Sequence, residues 1–306
     1  MKKKKEENKK EKENKKEKKK KEEKEKIESK NEDKKESKEV LGIKFEGMKG
    51  EGAVQQYIFG PEVKKEKIEV KEIPRIKSGI PGFDEMIENG LEENSVVIVN
   101  GDPGSGKTIF GIQFLYEGLK LGEAGLYISF GEPREVLYPR MLRFGMDLQK
   151  YEDKNLFFVI EYQPHEIAKL MQEEGGTIYD IVHTYKIKRI VIDSITPYLS
   201  QFTNLYDARL ALTRLFNIVR KWKATTLLIN EKVGEGDRVS QLAEFLADGV
   251  INLIHMRNED GIQVRGVEVW KLCGVDHTEV ARPFAFTKKG IVVYPNERIF
   301  VRFKER

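Results

Sequence analysis

The sequence predicts an α/β fold: a mostly parallel sheet flanked by helices, with antiparallel strands at its C-terminal end. Three observations carry this. Gly101-Asp102-Pro103-Gly104-Ser105-Gly106-Lys107-Thr108 fits the phosphate-cradling pattern G-x-x-x-x-G-K-[ST] at every fixed position. From about residue 68, short apolar runs alternate with helix-period segments, as in a parallel sheet covered on both faces. The last third turns strand-rich and is punctuated by turn signals.

The elements follow in order. Ile80-Pro81-Gly82-Phe83-Asp84-Glu85-Met86-Ile87 predicts a helix start near Pro81. Ser95 to Asn100 is short and apolar, as a buried parallel strand is. Phe110, Phe114, Leu115 and Leu119 fall at helical spacing behind the glycine loop. Gly125 to Phe130 reads as the next strand, Val136 to Phe144 as a helix, Leu156 to Ile160 as a strand and Ile167 to Tyr185 as mostly helix. Lys188 to Asp193 is a buried strand ending in an acid. Ala208, Leu212, Leu215, Val219 and Trp222 form one helical stripe, and Thr225 to Ile229 a further strand. Val250–Met256, Val264–Val275 and Phe284–Tyr294 are strand-rich, with turns at Glu259-Asp260-Gly261 and Lys288-Lys289-Gly290.

Charge divides the chain before any fold does. Residues 1–40 hold 19 Lys and 13 acidic residues, and their only large apolar residues after Met1 are Ile27 and Val40. Such a segment cannot bury a core and is expected to be a disordered tail. It is either a solvated extension or an electrostatic handle for nucleic acid or anionic lipid. It has no Arg and no aromatic residue for base stacking. Residues 41–67, broken by Gly42, Gly47, Gly50, Gly52, Gly60 and Pro61, read as a linker, and 68–306 as the nucleotide-binding domain. The whole chain carries +4, yet the part after residue 40 holds 36 basic and 38 acidic side chains. Net charge therefore gives no argument for nucleic-acid binding by the domain. With Cys273 alone, no intramolecular disulfide forms, and a reducing cytoplasm fits. No apolar run approaches the roughly 20 residues that span a bilayer, and the N-terminus lacks the apolar stretch of a secretory signal. Abundant Lys and Glu with scarce Cys lean toward a thermophile.

Strand, glycine loop and helix are what phosphate binding needs. The glycines let several N–H groups converge on one anion, and the helix N-terminus adds partial positive charge. Lys107 reaches the outer phosphates and the Thr108 hydroxyl suits Mg²⁺. Asp193 ends an apolar strand at its carboxyl end, where ligands of open α/β sheets bind. It is read as the second Mg²⁺ group, or as a helix N-cap. Glu132, after the strand Gly125–Phe130, would sit at the same edge. It either orients water for hydrolysis or is a solvent-facing loop glutamate ahead of Pro133.

Together these residues resemble the KaiC-like group of RecA-type ATPases, over about Arg75 to Pro295. Four stretches carry the likeness: Gly79-Ile80-Pro81-Gly82-Phe83-Asp84, the loop Gly101–Thr108, Ile190-Val191-Ile192-Asp193-Ser194, and Lys271-Leu272-Cys273-Gly274-Val275-Asp276-His277. The last is similar to the family's K-L-R-G-x-x-H segment, which reaches the neighbouring subunit's nucleotide. The resemblance implies a RecA-like core, ATP with Mg²⁺, and a homo-oligomeric ring, most often a hexamer. ATP would be held by Gly101–Thr108 and Ile109 of one subunit and by Lys271 and His277 of the next. Two departures stand out. The family's adjacent glutamates are Gly131-Glu132 here, and its trans-acting arginine is Cys273. A thiol cannot stabilise phosphate charge as a guanidinium does. Lys271 remains as a catalytic candidate. For Lys271 and His277, a solvated strand lysine and a surface turn histidine stay open. The family's clock proteins carry two such domains, so clock function is not carried over.

Three functions are expected from this. The first is a ring-forming ATP-binding protein with slow or regulated hydrolysis that acts as a switch on a protein partner. The second is a RecA- or RadA-like DNA-handling ATPase, disfavoured because the candidate loop Glu231–Ser240 holds three acids against two bases. The third is a nucleotide-binding subunit without turnover.

Overall fold

The structure, a computed structural model, describes residues 39–40, 43–44, 74–163, 166, 176–231, 238–257 and 261–299. Apart from residues 39–40 and 43–44, the expected tail and linker lie outside the described residues. So do 167–175 of the expected helix, the middle of the loop Glu231–Ser240, and Glu259-Asp260. The chain divides into two compact units, Met1–Lys71 and Glu72–Arg306. In the first, Glu39–Val40 pairs antiparallel with Ile43–Lys44.

The second unit is built on a nine-stranded sheet. Its elements are β1 (Val96–Gly101), α1 (Lys107–Lys120), β2 (Gly125–Ser129), α2 (Arg134–Leu142), β3 (Phe157–Glu161), α3 (Gly176–Thr184), β4 (Arg189–Asp193), α4 (Leu205–Lys221), β5 (Thr225–Glu231), α5 (Arg238–Leu246), β6 (Gly249–Arg257), β7 (Gln263–Leu272), β8 (Arg282–Thr287) and β9 (Gly290–Val293). The spatial order is β9-β8-β7-β6-β1-β5-β4-β2-β3. From β6 to β3 every neighbouring pair is parallel, and from β6 to β9 every pair is antiparallel. The mostly parallel sheet with antiparallel C-terminal strands is the architecture the sequence predicts.

Both faces of the sheet are covered, which explains why the middle stretches of its central strands, such as Val96–Val99, Ile190–Ile192 and Leu227–Ile229, are apolar on both sides. Val97 and Val99 of β1 pack with Phe110, Phe114 and Leu115 of α1, while Val96 and Ile98 pack on the other face with Leu212, Phe216 and Val219 of α4. Each such side chain, fully buried, contributes about 1.5–3 kcal/mol of transfer free energy. The stripe read at Ala208, Leu212, Leu215, Val219 and Trp222 is buried in full.

The segment after Pro81 differs from the expected helix. It forms turns and one short 3₁₀ turn at Asp84–Met86. Gly79 and Gly82 adopt φ of 72° and 79°, conformations that end a right-handed helix. Asp84 Oδ1 accepts from the Ser78 N–H at 2.9 Å and ties the turn closed.

Candidate functional site

The site forms where parallel strands end. β1 runs into the loop at Gly101, and α1 begins at Lys107 on Gly106, whose φ is 102°. No side chain caps α1. The N–H groups of its first turn, orphaned in any helix, therefore suit an anion. Gly106 is required twice over. An L residue is strained at that φ, and a Cβ there would lie 2.7 Å from Phe286 Cζ.

Lys107 is buried, and its ammonium donates to the carbonyls of Gly101 at 2.9 Å and Asp102 at 3.0 Å. Burial pulls its pKa down, against the opposing fields of Glu231, Asp193 and Asp102 in that order. Thr108 Oγ1 donates to Asp193 Oδ2 at 2.7 Å, and the Tyr127 hydroxyl donates to the same oxygen at 3.0 Å. Burial raises the Asp193 pKa; Thr108, Tyr127 and Lys107 oppose that rise and Glu231 adds to it. Burial, with Asp193 beside it, pushes the Tyr127 phenol well up, which keeps it a donor.

Glu132 lies in the turn after β2. Ser129 Oγ donates to its carbonyl at 2.7 Å and accepts from its N–H at 3.0 Å. Its carboxylate pairs with Arg140. Burial raises its pKa, Arg140 opposes that, and Asp193 adds to it. A Cβ built on neighbouring Gly131 would meet nothing within 4 Å.

Lys271 and His277 sit elsewhere. β7 pairs antiparallel with β6, and Lys271 lies opposite Val250, near the start of β6, whereas Gly101 lies opposite Leu253 and Leu253 opposite Val267. Lys271 is thus four residues, about 13 Å along the strand, from the level of the phosphate loop. Its ammonium donates to the carbonyls of Ala247 at 2.6 Å, Phe245 at 3.1 Å and Glu244 at 3.3 Å, closing the C-terminal end of α5. His277 Nδ1 is buried without a hydrogen-bond partner among the described residues, and Cys273 is exposed. The fold therefore brings Gly101–Ile109, Asp193 and Glu132 to one end of the sheet and leaves Lys271 and His277 outside it.

Two residues at the site escaped the sequence reading. Tyr127 was hidden inside an apolar strand. Glu231 ends β5 directly opposite Gly101 of β1. Its signal was available, because Thr225–Asn230 runs into an acid much as Ile190–Ile192 runs into Asp193.

The donor chemistry fits a Mg²⁺–nucleotide. A hydroxyl and a carboxylate, both hard oxygen donors, meet beside a phosphate-type loop. No group of three or more His, Cys, Asp or Glu suited to a metal occurs among the described residues. Mg²⁺ characteristically takes one or two protein ligands and completes its shell with phosphate oxygens and water. No helix among the described residues is long and apolar enough to cross a membrane.

A parallel sheet with a phosphate loop after one strand and an acid after the next but one defines a RecA-type P-loop ATPase. The family model described as ATPase: KaiC matches residues 76–298, and the chain belongs to that family. A UPF0273 protein of Pyrococcus horikoshii is 33% identical over 237 residues, covering 73% of this chain and 95% of its own length. The circadian clock protein KaiC3 of Synechocystis is 34% identical over 235 residues, but this match spans only 46% of that protein. The crystal structure of a KaiC-like protein from the hyperthermophilic archaeon Pyrococcus horikoshii OT3 superposes with a TM-score of 0.65 at 34% identity, covering 73% of this chain and all of that one. The chain carries a KaiC-like RecA-type ATPase domain and is an ATP-binding protein of that kind.

Proposed function

We propose that this protein forms a ring, most often a hexamer, that binds ATP with Mg²⁺ between subunits, hydrolyses it slowly or under regulation, and acts as a switch on a protein partner. The bond between Thr108 and Asp193 at the mouth of the phosphate loop is the observation that carries the reading. In it, the N–H groups of Gly104 to Ile109 cradle phosphate and Lys107 leaves its carbonyl partners for the outer phosphates. Thr108 and Asp193 hold Mg²⁺, which when bound neutralises charge developing on the transferred phosphoryl group. Glu132 is the acid that sequence alone points to for orienting water.

Slow turnover is supported by Gly131 and Cys273, which stand where the family has an acid and an arginine. The same departures favour a second reading, a nucleotide-binding subunit without turnover. Ring assembly is supported by large apolar side chains exposed beside Lys271: Phe245 at 74% and Trp270 at 65%. Lys271 and His277 then serve the neighbouring subunit's nucleotide. The tail of residues 1–40 is an extension that nucleotide binding does not need.

ATP turnover measured on a size-resolved oligomer, with and without Mg²⁺ and single-stranded DNA, tests this. Slow, Mg²⁺-dependent turnover on a ring, indifferent to DNA, is expected. DNA-stimulated turnover would favour the DNA-handling alternative, and binding with no phosphate release the subunit without turnover.

A further inference from the structure

Glu231 is an acid at the phosphate loop with no role in the mechanism above. Its position follows from strand order. β5 is the immediate neighbour of β1, β4 comes next, and β2 is third. Strands lie about 4.8 Å apart. Glu231 therefore ends the strand adjoining the phosphate loop, level with Gly101, while Glu132 follows a strand about 14 Å across the sheet.

The end of β5 is also fixed. The Glu231 N–H donates to Thr196 Oγ1 at 2.9 Å, and that hydroxyl lies 3.3 Å from Asn230 Oδ1. Thr196 starts the short helix that follows Asp193, so the backbone at Glu231 is tied to the segment that carries the Mg²⁺ acid. Asn230 Nδ2 donates to Asn100 Oδ1 at 2.9 Å and to Ser240 Oγ at 3.0 Å, tying the same strand end to the residue before Gly101. The two acids also differ in what they reach. Glu231 acts on both Lys107 and Asp193. Glu132 acts on Tyr127 and feels Asp193, and its carboxylate is engaged by Arg140.

We propose that Glu231, rather than Glu132, is the carboxylate that orients the attacking water and takes its proton, standing in for the acid absent at Gly131. The role rests on the hydrolytic reading above. In the step, the water oxygen bonds to the γ-phosphorus as the bond from that phosphorus to the β–γ bridging oxygen breaks. ADP leaves with the bridging oxygen, the water proton passes to the Glu231 carboxylate, and from there it goes to solvent.

The test compares full-length wild type with Glu231→Gln, Glu231→Ala and Glu132→Gln. ATP affinity is read by calorimetry with Mg²⁺, phosphate release under single-turnover conditions, and folding by thermal melting. Glu231→Gln should bind ATP as well as wild type or tighter, melt as wild type does, and release phosphate about 10²-fold or more slowly. Glu132→Gln should slow phosphate release less than Glu231→Gln does. Formate supplied to Glu231→Ala should recover part of the lost rate, because a small carboxylate can enter the space vacated; a merely structural side chain would not be replaced this way. Turnover in Glu231→Gln within twofold of wild type, or a loss confined to Glu132→Gln, overturns this role alone. No phosphate release from any protein, wild type included, overturns the hydrolytic reading and this role with it.

Discussion

Thr108 and Asp193, 85 residues apart in the chain, are joined by a 2.7 Å hydrogen bond from the threonine hydroxyl to the aspartate Oδ2. One belongs to the first turn of α1 and the other to the end of β4, so the bond spans the mouth of the crevice between helix and sheet. The same oxygen receives the Tyr127 hydroxyl. Burial makes a carboxylate held this way costly to keep ionised.

That cost gives a pH prediction. The Asp193 pKa is raised above its ordinary value of 3.8, chiefly by burial. A carboxyl whose pKa is higher folded than unfolded binds its proton better when folded, so its ionised form subtracts stability. The loss is absent below about pH 3.8, grows as pH climbs through the folded pKa, and is constant above it. Asp193→Asn keeps an oxygen acceptor for Thr108 and Tyr127 and carries no charge. It should melt higher than wild type at pH 7, lose that advantage as pH falls toward 4, and bind ATP without responding to Mg²⁺. Melting curves from pH 4 to 8 and calorimetry with and without Mg²⁺ check this; a variant less stable than wild type at pH 7 would contradict it.

Lys107→Ala removes the ammonium held at the loop. A charge-assisted hydrogen bond contributes roughly 1.5–3 kcal/mol, so ATP affinity should fall about 10- to 100-fold. Calorimetric titration measures it, and unchanged affinity would sink the site assignment.

The two departures from the family pattern can be reversed. Gly131 has open space around it, so Gly131→Glu introduces an acid without a clash. Cys273 is exposed, so Cys273→Arg is tolerated. Wild-type turnover should be slow, and the arginine should raise it, by as much as about 10³-fold where it acts as a trans-acting finger. A fast wild type that neither change accelerates would mean that the departures carry no penalty.

The reach of the sequence is clear from particular residues. Local patterns were legible: the loop 101–108, the strand running into Asp193, and the stripe ending at Trp222 all depend on neighbours in the chain. Spatial order was not. Nothing in the sequence places β5 beside β1, so Glu231 read as the start of a loop rather than as the acid opposite Gly101. α5 was missed for a related reason, since Arg238–Leu246 follows directly on that loop. The turn at Gly79–Phe83 was mistaken for a helix because Pro81 suits a helix start, while the positive φ values of Gly79 and Gly82 are visible only in the backbone.

Lys271 separates two roles that one substitution can distinguish. Within its own subunit its ammonium bonds three carbonyls at the C-terminal end of α5, where a cation also meets the negative end of the helix dipole. Lys271→Ala should therefore lower the melting temperature without nucleotide, by an amount reflecting about 1 kcal/mol for a partly exposed cap. The second role needs a neighbour. Lys271 lies far along β7 from its own phosphate loop, and a closed ring brings one surface of each subunit to a different surface of the next. ATP that bridges the two surfaces would bind the assembled site better than the half-site of a monomer, and so stabilise the ring. Light scattering with and without ATP and Mg²⁺ should show ATP-dependent assembly in wild type and weaker assembly in Lys271→Ala. A variant that melts lower yet assembles with ATP as wild type does would leave Lys271 as a helix cap alone. A wild type that binds ATP tightly and stays monomeric would rule out the shared site.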